Sequence, residues 1–409
     1  MGRPHQFPGQ GVRQVSDRRE VWITGVGLLT CLGEGVEAAW SHLERGDAPS
    51  YDDTSFAPYI VHPLGPISFD KYIPKKSDQR QMETWQRVGV YSAGMALADA
   101  GIAGKPELLD RADMIVAAGG GERDIAVDTA IMAGLRKTNT PGAFLNERLM
   151  SDLRPTLFLA QLPNLLAGNI SLVHGVVGSS RTFMGEEAAG VDAVRVAQAR
   201  IAAGQSELTL VGGAYHGTRW DVLLTFEFGR VALKDKFAAV WDRGPHGGIA
   251  FGTMGAFLVL ESKEHAIARG AKPRARISEV YSDRNARKEG DAEASLRRQW
   301  QKLSPQVDKA HAAIVSGAAG LEPATSAEAH VLQEIGLPVR NTGTYIGHGV
   351  DAQFTANLAI GCAVLEHGKL FAPTGTGDIG ASPPGLSQVV VTGVGNWRGE
   401  GLALLERVS

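Results

Sequence analysis

Short apolar runs alternate with longer amphipathic stretches along most of this chain. The apolar runs are rich in Val, Ile and Leu and are bounded by glycine, a pattern typical of buried β-strands. They predict strands at 21–27, 114–118, 208–213, 257–261, 312–315, near 339 and at 390–395. Apolar residues at helical spacing predict helices at 35–45, 85–101, 155–167, from 325 and at 349–368. The charged stretch 283–306 predicts a helical layer on the surface.

The alternation of strands and helices indicates an α/β fold with sheets sandwiched between helices, because the strands are largely apolar on both faces. The sequence Thr-Gly-Val-Gly occurs at 24–27 and again at 392–395, at the start of one half of the chain and the end of the other. This echo hints at two related α/β halves. The polar segment 1–20 predicts a flexible tail.

The composition limits the classes of function. The chain has 409 residues, of which 44% are hydrophobic, and a net charge of -3 at pH 7. This charge argues against a nucleic-acid partner held by bulk electrostatics, although a small acidic carrier protein needs only a local basic patch. No stretch reaches the roughly 20 apolar residues of a membrane span. The polar start and the presence of only two cysteines, Cys31 and Cys362, predict a cytoplasmic protein without a disulfide framework.

Several segments, in order and at matching spacing, resemble the elongating β-ketoacyl-acyl-carrier-protein synthases. The resemblance runs from Val21 to Leu405. It is carried by the opening strand and turn 21–33, by 167–175, by Trp-Asp-Arg at 241–243 with the stretch 257–272, and by 341–348. It implies the thiolase-like fold, with a first ketosynthase-like half at 21–262 and a second at 263–409.

The resemblance also identifies the positions that carry the family's chemistry. There, a cysteine thiolate at the start of a buried helix takes the acyl chain from a carrier protein. Two histidines and a lysine support decarboxylation of malonyl-carrier and stabilise the enolate. In this chain the nucleophile position, counted back from Gly190, holds Glu187, and the first histidine position holds Gly317. The lysine position holds Gly343, whereas the second histidine is kept as His348.

This pattern of loss is similar to that of chain-length factors, the silent partners of type II polyketide ketosynthases. Those subunits carry Gln or another residue at the nucleophile position and form a heterodimer with an active ketosynthase. The resemblance therefore implies two partners here, an active ketosynthase and an acyl carrier protein, in polyketide or fatty-acid-type chain assembly. Because Glu187 replaces the more familiar Gln, a polyene or reduced-chain system stays open.

Glu187 has three interpretations. As a structural residue, its carboxylate accepts hydrogen bonds from the free N–H groups of the helix start, where anions are favoured by about 0.3–1 kcal/mol. As a plug, it rejects acyl chains by size and charge. As a functional residue, it promotes decarboxylation of a malonyl group. We prefer the first two, and we interpret His348, which has lost its catalytic partners, as a core histidine.

Three further positions are candidates for contact with substrate. Phe158 aligns with a family residue that reaches across the dimer into the neighbour's tunnel, although a plain core aromatic is an equal alternative. The family's gate, Gly-Phe-Gly-Gly, is replaced at 395–398 by Gly-Asn-Trp-Arg, which places Asn396 in the gate and Thr392 just before it.

Other functions compete with that of a silent partner. A malonyl-carrier decarboxylase or acyltransferase would use the carboxylate of Glu187, and an acyl-binding homodimer would carry out no chemistry. An ordinary condensing enzyme would need the side chains that the aligned positions lack. The histidines have no ligand spacing and the glycine run 119–121 lacks the phosphate-loop pattern, so we expect no metal and no cofactor. A small buried apolar role fits both cysteines.

Overall fold

The structure is a computed structural model that describes residues 18–153, 158–159, 161–397 and 399–408. Of the predicted tail at 1–20, residues 1–17 lie outside the described range. Arg19 lies inside it, and its backbone N–H donates to the carbonyl oxygen of Ala202 at 3.0 Å.

The described strands are, in chain order, β1 (Val21–Thr30), β2 (Gly33–Glu34), β3 (Val61–His62), β4 (Asp113–Ala117), β5 (Ser180–Phe183), β6 (Leu208–Tyr215), β7 (Phe251–Gly252), β8 (Met254–Ser262), β9 (Ala275–Asp283), β10 (Ala312–Ser316), β11 (Val339–Asn341), β12 (Gln388–Val394) and β13 (Glu400–Glu406). Each predicted strand is present at or within a few residues of its predicted position.

The described α-helices are Val36–Arg45, Lys76–Gln81, Thr84–Asp99, Pro106–Leu109, Ile125–Leu135, Pro141–Ser151, Leu165–His174, Ala188–Ala202, Trp220–Glu227, Lys263–Ala268, Asp291–Leu303, Ala324–Ile335, Gly343–Ile346 and Gln353–His367. Short 3₁₀ helices lie at Phe69–Lys71, Val240–Asp242, Ser304–Gln306 and Val350–Ala352. The charged helix at Asp291–Leu303 is not only a surface layer, because its apolar face is buried through Leu296 and Leu303.

The sheet repeats one strand order twice. Within the described residues, ten strands lie in the order β11-β10-β12-β13-β9-β1-β8-β6-β4-β5, with β2 attached to β1 and a separate pair formed by β3 and β7. Taken in chain order, β1, β4, β5, β6 and β8 occupy the same relative places as β9, β10, β11, β12 and β13. In each set the third strand is outermost and the first lies at the middle, where β1 pairs with β9. The prediction of two related α/β halves is confirmed.

Strand directions repeat in the same way. β4 is parallel to β5 and β6, and β10 is parallel to β11 and β12. The fifth strand of each set, β8 or β13, is antiparallel to its neighbours. The predicted boundary at residues 262 and 263 lies between the two sets of strands, after β8 and before β9. That it limits two domains stays a prediction.

The Thr-Gly-Val-Gly echo does not mark equivalent places in the two halves. Residues 24–27 lie in β1, the first strand of its set, whereas 392–394 lie in β12, the fourth strand of the other. The strand that corresponds to β1 is β9. The echo therefore indicated the duplication correctly but by a coincidental match of residues.

Two buried helices form the centre of the molecule and lead to the candidate site. The helices Ala188–Ala202 and Gln353–His367 belong to the same hydrophobic core cluster and pack on the sheet. The second is buried at every position from Gln353 to Leu365, as expected for a helix that is apolar or small on all sides. Each follows the third strand of its half, so their N-terminal ends occupy related places in the fold.

The predicted helix at 155–167 is wrong in its C-terminal bounds. Phe158 and Leu159 are helical, but the chain turns at 163–164 and a new helix begins at Leu165 and ends at His174. Pro163 explains the break, because proline lacks the N–H that a continuous helix needs. Residues 154–157 and 160 lie outside the described residues. In the part of the chain that is described, no helix is both long and apolar enough to cross a membrane.

Candidate functional site

Glu187 lies immediately before the helix Ala188–Ala202, at the position expected for a nucleophile. Its backbone angles, φ -51° and ψ -33°, are already helical, and its side chain makes no capping bond to that helix. A capping residue normally has extended backbone geometry, which turns its side chain toward the free N–H groups. The interpretation that Glu187 caps its own helix is therefore wrong. Its side chain, in a residue only 5% exposed, reaches other partners.

Asn396 and His348 hold the carboxylate of Glu187. The backbone N–H and the side-chain amide of Asn396 both donate to Glu187 Oε1, at 3.2 and 2.7 Å. His348 Nε2 lies 3.4 Å from the same oxygen. Burial raises the pKa of Glu187, but His348 and the Asn396 N–H outweigh burial, so this pKa lies below its ordinary value. The site therefore contains a buried anion.

His348 is fixed through its backbone. Its N–H donates to the carbonyl oxygen of Ala250 at 2.9 Å, and its own carbonyl oxygen accepts from Gly252 at 3.0 Å. The residue is 3% exposed. His348 is thus a buried histidine, as predicted, and its Nε2 faces the carboxylate of Glu187.

Gly317 faces the same small cavity as Glu187 and His348. A Cβ atom on Gly317 would lie 2.5 Å from the carbonyl oxygen of Thr392 and 3.1 Å from Asn357 Nδ2. The first distance is shorter than real Cβ contacts and involves backbone, which cannot easily move. The structure therefore brings three of the four aligned positions together, and it leaves no room for a side chain at the first histidine position.

Gly343 is the fourth aligned position. It begins the short helix Gly343–Ile346, and its nearest neighbours at the Cβ position are the carbonyl oxygen of Ala318 at 3.2 Å and the side chain of Val240. It does not line the cavity beside Glu187.

Thr392 is held by hydrogen bonds inside the protein. Its hydroxyl accepts from the N–H of Gly317 at 2.9 Å and donates to the buried carboxyl of Glu328, and the residue is fully buried. Burial raises the pKa of Glu328, which favours its neutral form. Thr392 thus fixes the backbone at Gly317, and contact with a substrate stays a prediction. The same holds for Asn396, whose amide is engaged by Glu187.

Asp351 is a member of the site that the sequence reasoning missed. It is 1% exposed, and Gly119 approaches it so closely that a Cβ there would lie 2.7 Å from Asp351 Oδ2. Burial and the charge of Glu187 raise the pKa of Asp351 well above its ordinary value. The site therefore pairs an ionised carboxylate with a neutral carboxyl group. The only available signal was an acidic residue three positions after His348, within an otherwise apolar run.

Neither cysteine supplies a replacement nucleophile. Cys362 lies inside the helix Gln353–His367 and is 2% exposed, and Cys31 is partly buried with its thiol donating to the carbonyl oxygen of Tyr345. Burial raises the pKa of each thiol to about 12. Only a thiolate reacts as a nucleophile, so both groups are inert near neutral pH.

An open pocket of about 990 Å³ lies beside the site. Asp351 and Tyr215 contribute to its wall, and Trp397 from the gate segment lies 5.3 Å from the ring of Phe226. The gate residue Arg398 lies outside the described residues.

Phe158 is not a core aromatic. It is 75% exposed and lines a second, smaller pocket of about 200 Å³ together with Leu149 and Gln161. The alternative of a plain core residue is therefore wrong for this chain, whereas contact with a substrate or a neighbour stays a prediction.

The comparisons with known proteins identify the family of this chain. The family model for the beta-ketoacyl synthase N-terminal domain matches residues 18–266, more than half of the chain. The chain belongs to the beta-ketoacyl synthase family. A beta-ketoacyl synthase relative, 3-oxoacyl-[acyl-carrier-protein] synthase 2 of Vibrio cholerae serotype O1, is 26% identical over 265 residues. The match spans 62% of this chain and 61% of that relative's length.

Solved structures show the fold of this beta-ketoacyl synthase homologue over nearly its whole length. The ishigamide ketosynthase/chain length factor superposes with a TM-score of 0.78 at 18% identity, covering 96% of this chain and 100% of the other. A type II polyketide synthase acyl-carrier protein in complex with its ketosynthase bound to the hexaketide, AntDE:AntF, gives a TM-score of 0.71 at 18% identity, with the same coverage. The predicted thiolase-like ketosynthase fold is confirmed.

Proposed function

We propose that this chain is a catalytically degenerate β-ketoacyl-acyl-carrier-protein synthase homologue that acts as the chain-length factor partner of an active ketosynthase. The assembly would build a polyketide or fatty-acid-type chain on an acyl carrier protein. The proposal is supported by one observation: Glu187, at the position that aligns with the family's thiolate, carries a buried carboxylate whose pKa lies below its ordinary value.

The environment of Glu187 supports loss of condensing activity. Chain transfer requires a nucleophile that attacks a thioester, and the Glu187 carboxylate is held by Asn396 and His348 inside the protein. Packing leaves no space for an imidazole at Gly317, so the enolate would lack one of its two histidine donors.

The surface around β5 supports a partner subunit. β5 is the last strand at its end of the described sheet, and it pairs with β4 on one side only. Unpaired strand edges and large exposed apolar patches mark sites of association. Among the described residues, more than half of the exposed large apolar side chains lie in the part of the chain that leads up to β5 and just past it: Met132, Leu149, Met150, Phe158, Leu159, Leu162, Leu172, Val177 and Met184. We name these side chains with β5 the edge surface.

A charge on the edge surface favours a different partner over a second copy. Arg181 lies within the four-residue strand β5, is exposed, and forms no ion pair with any described residue. In a two-fold dimer each copy contributes the same patch, so pairing through β5 would bring two Arg181 side chains near the axis. Like charges opposite each other on paired strands are destabilising, whereas a partner with an acidic or neutral residue avoids this cost.

Co-expression with a ketosynthase that retains its own Cys-His-His set tests the proposal. We expect a one-to-one complex by native mass spectrometry, and a change in product length for Phe158→Ala. Phe228→Ala is the matched control, because Phe228 is 94% exposed but lies outside the edge surface. The proposal is refuted when the two chains never associate and product length ignores both Phe158→Ala and Glu187→Ala.

A second candidate function is malonyl-carrier decarboxylation. It is favoured by the pairing of an ionised Glu187 with a neutral Asp351, since an acid and a base whose pKa values are driven apart is a common catalytic arrangement. Release of carbon dioxide from malonyl-carrier by the purified chain is the assay. Equal rates for wild type and Glu187→Ala would eliminate this function.

A further inference from the structure

A small cavity of about 10 Å³ lies beside Gly317, the position that aligns with the family's first histidine. Its wall includes Glu187, Gly317, His348, Asn357 and Val394. These residues come from five separate segments of the chain and meet only in the fold. The volume is about that needed to hold a single water molecule.

Three polar atoms of the residues around this cavity have no hydrogen-bond partner among the described residues. They are Glu187 Oε2, His348 Nε2 and Asn357 Nδ2. Each belongs to a side chain that is at least nine-tenths buried. Buried polar groups without partners destabilise a protein, and native structures nearly always satisfy them with protein or ordered water.

The other bonds of Asn357 fix the direction of its free N–H₂ group. Its Oδ1 accepts from the hydroxyl of Thr342 at 2.6 Å and from the amide of Gln353 at 3.0 Å. The oxygen of the Asn357 amide therefore faces Thr342 and Gln353, and its nitrogen faces Gly317. Nδ2 lies 3.1 Å from the Cβ position of Gly317.

We propose that this cavity binds one water molecule, which donates to Glu187 Oε2 and accepts from Asn357 Nδ2. These two groups give the minimum of two partners that a buried water needs, since His348 Nε2 already faces Glu187 Oε1 at 3.4 Å. The water replaces, as a hydrogen-bonding group, the imidazole that Gly317 cannot carry.

The water site explains why Glu187 is inert, and in this respect it rests on the proposed function. With the water in place, Oε1 is held by Asn396 and Oε2 by the water, so both carboxylate oxygens are engaged. A base or nucleophile needs a free lone pair directed at its substrate, and this arrangement leaves about one of the four acceptor sites of the carboxylate free, inside the protein. The closed cluster thus favours a silent subunit over a decarboxylase.

A crystal structure of the full chain tests the site directly. We expect a density peak within about 2.7–3.2 Å of both Glu187 Oε2 and Asn357 Nδ2. Asn357→Leu replaces the proposed donor to the water with an apolar side chain of about the same size, and Thr355→Val is the matched control, because Thr355 lies in the same helix, is fully buried and does not line the cavity. We expect the peak to vanish in Asn357→Leu and to remain in the control.

A cavity without the peak in wild type would overturn the inference. So would a peak that stays at the same place in Asn357→Leu, since the water would then not be held by Asn357 Nδ2. The result is separable from the proposed function. A water peak in a chain that binds no ketosynthase would leave the site intact and refute the partnership, and complex formation without the peak would do the reverse.

Discussion

The hydrogen bond between Asn396 and Glu187 gives a prediction whose magnitude follows from the geometry. The Asn396 amide donates to the buried carboxylate at 2.7 Å, and its own Oδ1 has no partner among the described residues. Truncation to Ala therefore removes one charge-assisted bond and no other hydrogen bond of that side chain. Such bonds contribute about 1.5–3 kcal/mol, so we expect Asn396→Ala to lower the free energy of unfolding by about 2 kcal/mol.

A double-mutant cycle isolates this contribution. In a Glu187→Ala background the amide has no carboxylate to bind, so Asn396→Ala should cost less than about 0.5 kcal/mol, which leaves a coupling energy of about 1.5 kcal/mol or more. Urea unfolding at pH 7, followed by circular dichroism, measures all four variants. Asn396→Asp is the control of matched size and should be worse than Ala, because it opposes two carboxylates. Additive effects of the two Ala substitutions would refute a buried, ionised Glu187 held by Asn396.

Three further outcomes follow from the site. The pKa of Asp351 is raised in the folded chain, so above about pH 3.8 the folded chain keeps a proton that the unfolded chain loses. The free energy of unfolding therefore falls as pH rises from about 3.8 to the raised pKa of the folded state. The free energy of unfolding of Asp351→Asn, relative to that of wild type, should therefore increase from pH 4 upward. A difference between the two that does not change with pH would contradict a raised pKa for Asp351. Glu187→Cys with Gly317→His should not restore condensation from acyl- and malonyl-carrier, because the new side chain meets the Thr392 carbonyl; a recovered product would show that the backbone yields. Iodoacetamide at pH 8 should label neither cysteine of the native chain and both after denaturation, and rapid native labelling would contradict the raised thiol pKa values.

Much of the fold could be predicted from the pattern of the sequence. Strands such as β6 and β8 are short apolar runs bounded by glycine or by charged residues, and their positions need no tertiary information. The duplication was visible only indirectly, because the two halves share strand order and not sequence. The break before Leu165 depends on the local effect of Pro163, which the apolar spacing at 155–167 concealed.

Three residues of the candidate site could be predicted from the sequence, but the contacts between its side chains could not. Counting along the chain placed Glu187, Gly317 and His348, and the fold brings all three to one cavity. Counting along the chain could not predict the hydrogen bond from Asn396 to Glu187, because the two residues are 209 positions apart in sequence. It also missed Asp351, since a buried carboxyl becomes recognisable only when the surrounding glycines, such as Gly119, are seen to make room for it.

We propose that this chain lacks condensing activity alone and supports it in a partner. Product formation from acyl-carrier and malonyl-carrier should be measured for this chain, for a ketosynthase with an intact cysteine, and for the co-purified pair. We expect no product from this chain alone and a longer product from the pair than from the ketosynthase by itself. Condensation by this chain alone, abolished by Glu187→Ala, would show that the chain is an active condensing enzyme and not a silent partner.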